Sequence, residues 1–91
     1  MVSQDKKLRY LIAEETINVH VARMISDARN KAGLTQKELA KLVGTTQSVI
    51  ARLEDADYEG HSLNMLNRIA TALNKRVDVR FLAVKGTPQH A

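Results

Sequence analysis

The stretch LTQKELAKLVGTTQSVIARLE, Leu34 to Glu54, decides how this chain folds. Thr35 followed three residues later by Glu38 is a capping box, in which a hydroxyl and a carboxylate satisfy backbone amides that the first helical turn leaves without partners. A helix therefore starts at Gln36 and runs through Val43. Gly44 ends it, because glycine takes the positive φ of a tight turn without steric cost. Thr45 or Thr46 then caps a following helix that carries Val49, Ile50 and Leu53. Two helices joined by so short a turn cross steeply. Leu39, Val43, Ile50 and Leu53 form the face that the crossing buries, and Ala40 is small where the two helices touch.

Upstream, polar residues Ser3 to Lys7 lead into Leu8, Leu11 and Ile12, which reads as a frayed start and a short amphipathic helix. From Glu14 to Ala32 the apolar positions Ile17, Val21, Met24, Ile25 and Ala28 keep a period near that of a helix, and Gly33 stands where a helix C-terminal glycine belongs. Downstream, Asp55 to His61 is a loop, and Ser62 caps a helix from Leu63 to Leu73 whose inward face is Leu66, Ile69, Ala70 and Leu73.

After Asn74 the period changes to two: Val77, Val79, Phe81 and Ala83 alternate with Asp78, Arg80, Leu82 and Val84, rich in β-branched and aromatic residues. That is one strand with no strand partner elsewhere in the chain, so its unpaired backbone groups call for a second copy. The expected organisation is an N-terminal extension over residues 1–14, a helical domain over 15–74, a dimerisation strand over 75–85 with Val77, Val79, Phe81 and Leu82 at the contact, and a disordered tail over 86–91. The expected fold class is mainly α: a bundle of four to five helices with a C-terminal strand in an intermolecular sheet.

Composition narrows the function. At 91 residues the chain is one domain, and with no cysteine it has no disulfide, thiolate metal site or thiol chemistry. Its apolar runs are too short to span a membrane, and no signal-peptide pattern opens it, so a soluble cytoplasmic protein is expected, with no membrane among its partners. The net charge of +4 favours a polyanionic partner, since neutralising phosphates releases counterions from nucleic acid. The basic residues crowd the first half, whereas Glu54, Asp55, Asp57 and Glu59 form one acidic run. His20, His61 and His90 have no metal-ligand spacing, and neither a Gly-rich phosphate loop nor a nucleophile elbow occurs. No enzyme activity and no cofactor are expected.

The segment from Leu34 to Glu54 resembles the helix-turn-helix of the lambda-repressor-like family, also called Cro/C1 or XRE, most closely in Gly44-Thr45-Thr46-Gln47. The resemblance implies that the helix starting near Thr46 lies in the major groove of double-stranded DNA with its N-terminal residues toward base edges. Its outward positions are Gln47, Ser48, Ala51 and Arg52, with Thr45 and Thr46 beside them. Gln is suited to adenine, Arg to guanine, and hydroxyls to either. Gln36 would meet a phosphate. A capped helix followed directly by a strand, Leu63 to Val84, looks more like the HigA-like and HipB-like antitoxins of the same superfamily. That likeness implies a homodimer, an operator with two half-sites, and a small basic toxin as protein partner, for which the acidic loop is a candidate surface. A free-standing repressor without a toxin is the alternative.

Overall fold

The computed structural model describes the backbone of residues 2–83 and the side chains of residues 16–83. Among these residues the order is α1 (Val2–Lys31), α2 (Gln36–Val43), α3 (Gln47–Leu53) and α4 (Leu63–Ala72). Where the periodicity pointed to a short helix and then a longer one, α1 is a single helix of 30 residues. No Gly or Pro precedes Gly33, and Ala13-Glu14-Glu15 are helix formers, so nothing in the sequence breaks it.

Three of the four helices end in the same way. Gly33, Gly44 and Asn74 take φ of 74°, 84° and 61°. In each case the next residue's amide reaches back five positions, Leu34 to the Arg29 carbonyl, Thr45 to Ala40 and Lys75 to Ala70. This closes the last turn on carbonyls that would otherwise lack partners. The starts are equally determined: Thr35, Thr46 and Ser62 accept from the amides of Glu38, Val49 and Met65, and the Glu38 carboxylate accepts from the Thr35 amide to complete the capping box. Hydrogen bonds to the Glu38 carboxyl from Thr35, foremost from its backbone amide and then from its side chain, hold that carboxyl below the ordinary carboxylate value.

The core is aliphatic: Ile25, Leu39, Ala40, Val43, Ile50, Leu53 and Ile69 are buried together, with Val21, Leu34, Val49, Leu66 and Leu73 packed around them. Leu39 and Ile50, fully buried, sit where α2 meets α3. The inward stripe of α1 differs from the one the apolar pattern drew. Ala22 and Ile25 are buried, while Ile17 and Met24 are 62% and 44% exposed. The inward face also carries the half-buried Arg29, a charged residue that an apolar count discounts.

Residues 75–83 carry no regular secondary structure. The expected strand therefore has no ladder among the described residues, and Val84, Lys85 and the 86–91 tail lie outside them. Val77 is half-buried, but Val79, Phe81 and Leu82 are exposed.

Gly44 gives a clean test of the turn. A Cβ added there meets only Arg68 Nη2 at 3.6 Å, ordinary contact, so the cost of Gly44→Ala comes from its φ of 84° alone. We expect a loss of about 1–2 kcal/mol in urea unfolding, and less for Gly44→Asn, since Asn tolerates the left-handed region.

Candidate nucleic-acid interface

The seven-residue helix α3 has two faces with opposite fates. Ile50 and Leu53 are buried against α2, and Val49 is half-buried beside them. Thr46, Gln47, Ser48, Ala51 and Arg52 are exposed. One short element thus presents an amide, hydroxyls and a guanidinium over a small Ala, backed by a rigid core. This is the donor and acceptor set suited to base edges. Thr46 is also committed locally, its Oγ1 accepting from the Val49 amide at 3.3 Å. Thr45 is half-buried in the turn.

Two groups that clamp the helix-turn-helix, one at the end of α3 and one at the end of α2, were not apparent from the sequence. Arg29 of α1 donates from Nε and Nη2 to the two carboxylate oxygens of Glu54, at 2.7 and 3.0 Å, and from Nη1 to the Leu34 carbonyl at 2.8 Å. Gln36 Nε2, at the start of α2, donates to the same carboxylate at 3.1 Å. Three helices are thereby tied at one point, just after α3 ends. Glu54 is consequently not part of a solvated acidic run; its side chain is only 6% exposed. Burial pushes its carboxyl up, but bonds from Arg29, Gln36 and Ser26 together with the Arg29 charge outweigh this, and the net direction is down. The Arg29 guanidinium is held above its ordinary value by the same bond.

The second clamp is Arg68 of α4, which donates from Nη2 to the Val43 carbonyl at 2.9 Å. It places a positive charge at the C-terminal end of α2, where the helix dipole favours it. His61 completes the frame: its Nε2 lies 2.7 Å from the Leu53 carbonyl, closing the loop onto the end of α3. Tyr58 stacks edge-on against that ring, with centroids 5.0 Å apart.

A helix-turn-helix family profile matches residues 25–79, more than half of the chain. The chain belongs to the helix-turn-helix family. An uncharacterized HTH-type transcriptional regulator of Methanothermobacter thermautotrophicus is 44% identical over 52 residues, covering 57% of this chain and 74% of the relative. Another, from Archaeoglobus fulgidus, is 40% identical over 58 residues, covering 64% and 81%.

Within this helix-turn-helix chain the predicted contact residues divide into two groups. Thr46, Gln47, Ser48, Ala51 and Arg52 stand together on the outer face of α3, whereas Gln36 is half-buried with its amide nitrogen engaged by Glu54. Its backbone N–H remains at the start of α2, where a helix N-terminus favours an anion. The clamps could have been suspected only from the pairing of Arg29 with Glu54 across 25 positions, and no periodicity reports such a pair.

Proposed function

We propose that this protein is a sequence-specific transcriptional repressor that binds duplex DNA as a homodimer, with α3 in the major groove. The observation that carries this reading is the exposed run Thr46, Gln47, Ser48, Ala51 and Arg52 on a helix whose opposite face holds fully buried Ile50. A reading helix must not shift when it meets base edges, and this one is capped by Thr46, anchored through Glu54 and closed by His61. The kinship with HTH-type transcriptional regulators supports the same assignment.

The test is a duplex selected from a random pool. Gln47→Ala and Arg52→Ala are each expected to lose about 1–3 kcal/mol on that duplex by fluorescence anisotropy while random DNA is bound nearly as before. Equal losses on both DNAs would remove these side chains from base reading. In the homodimer, half-site centres lying on one face of the duplex stand about 34 Å apart, or a multiple of that.

A second reading, that the repressor is also the antitoxin of a toxin-antitoxin pair, is favoured by one feature. Asp55, Asp57 and Glu59 are all exposed just beyond α3. Carboxylates are poorly placed for phosphate contact and well suited to a small basic protein. Reversing the three charges should strengthen binding to random DNA and abolish retention of a small basic partner encoded beside the gene. If retention survives the reversal, this ridge is not the partner's surface; if no such partner exists, the free-standing repressor stands.

A further inference from the structure

Resting on the homodimer reading, we infer that the two copies pair antiparallel through 77–81 with the two-fold axis at Val79, and that the partner subunit's Phe81 fills the groove between α1 and α4. Among the described residues, the segment after α4 carries apolar side chains without cover. Phe81 is 105% exposed, Leu82 77% and Val79 68%, apolar residues placed close together. A groove of about 300 Å³ runs between α1 and α4, with Met24, Ile25, Leu66, Ile69 and Leu73 in its apolar wall and the segment Lys75 to Asp78, Val77 included, along its border.

Symmetry restricts the register. In an antiparallel pair, directly opposed residues point to the same face. A two-fold axis perpendicular to the sheet also keeps each residue on the same face in both copies. Only residues of like parity can therefore face each other, and the axis must pass a residue that opposes itself. Charge then chooses among the few registers left. An axis at Asp78 opposes two carboxylates, and one at Arg80 opposes two guanidiniums. An axis at Phe81 leaves both kinds of charge facing apolar residues, and one at Val77 sets Asp78 against the partner's Arg76 but would oppose Phe81 to the partner's Leu73, the C-cap of α4, so its ladder stops short and leaves the ring uncovered. The axis at Val79 sets Asp78 against the partner's Arg80, and Arg80 against the partner's Asp78. These two side chains already attract within one chain, at 2.6 Å, with both largely exposed.

This register has a consequence on the other face. Val77 then stands opposite the partner's Phe81, with Cβ atoms about 5 Å apart. Because Val77 borders the α1–α4 groove, the partner's ring reaches it, covering Met24, which the single chain leaves 44% exposed. An aromatic ring brings a large apolar area to such a site, and a thioether beside it is a favourable neighbour.

The chain has no cysteine, so single-cysteine variants report on the axis without background. Under mild oxidation Val79→Cys is expected to cross-link fastest, since opposed Cα atoms fall within disulfide reach, whereas Asp78→Cys and Arg80→Cys stand about 7–8 Å from their own copies and should lag. Asp78→Arg should weaken the dimer about tenfold in sedimentation, and adding Arg80→Asp should restore it. In the cross-linked Val79→Cys dimer, Phe81→Ala should shift the Met24 methyl resonance out of the aromatic ring current. A dimer that cross-links fastest at another position overturns the register, and an unmoved Met24 methyl overturns the seating of Phe81. A wild type that sediments as a monomer instead overturns the homodimer reading itself.

Discussion

Glu54→Ala is expected to destabilise the fold by about 3–5 kcal/mol, because it leaves a guanidinium in place with no carboxylate to answer it. The Arg29 side chain is 12% exposed and that of Glu54 6%, so water can hydrate neither well once the other is gone. Removing Glu54 also frees the Gln36 amide at the head of α2. For a domain of this size each kcal/mol moves Tm by about 4–8 °C, so the variant should melt on the order of 12 °C or more below the parent in calorimetry. The double variant Arg29→Met with Glu54→Leu should cost less than either single change, since an apolar pair removes both charges together. The Leu34 carbonyl and the Gln36 amide then lose these partners, but both residues are half-buried and water can take up the bonds, so the residual cost stays below that of either single change.

The same pair predicts a pH dependence. The folded Glu54 carboxyl titrates below its ordinary value, so its stabilisation is fully present above the unfolded carboxylate value, roughly 4.3, and is lost as pH falls through the lower folded value. Glu38 contributes in the same direction through Thr35. Urea midpoints of the parent should therefore fall as pH is lowered below about 4, and Glu54→Gln should flatten part of that slope, with Glu38 contributing in the same direction. An unchanged slope in Glu54→Gln would mean that the pair contributes nothing to acid unfolding.

Val79→Pro is expected to lower operator affinity by about 10²–10⁴-fold without altering the helix-turn-helix, by dissociating the proposed dimer. Proline removes a backbone donor and cannot join the ladder at its centre. Each half-site contact would then form alone, losing the gain in effective concentration that two linked reading helices share. Sedimentation should find a folded monomer with an unchanged helical signal, and anisotropy should find the weakened operator binding. A Pro variant that dimerises and binds like the parent would remove residues 77–81 from the interface.

The sequence spelled out the local structure because its signals were chemical and short in range. Thr35 with Glu38, Gly44, Thr46 and Ser62 each satisfy or terminate a helix end through a bond to residues a few positions away, and all are found in those roles. Leu39, Ala40, Val43, Ile50 and Leu53 were readable because one face of each helix must leave water. What escaped was long in range or polar. Arg29 looked like one more basic residue and Glu54 like one more acidic one, and only the fold brings them together. The stripe of α1 was drawn through Ile17 and Met24 because apolar character was taken for burial, whereas the inward face there runs through Ala22, Ile25 and the paired Arg29. Residues 77–83 alternate as a strand would, but alternation cannot name a partner, and none is found among the described residues.

The most direct test is an amide NMR titration of the ¹⁵N-labelled protein with a duplex selected from a random pool. The largest shifts should fall on Thr45 to Arg52 and the first turn of α2, with α1 residues such as His20 and Asp27 little affected, and the affinity should drop steeply with salt as phosphate contacts release counterions. Shifts centred on α1 or α4, or no duplex enriched over random DNA, would contradict the assignment of α3 as the reading helix.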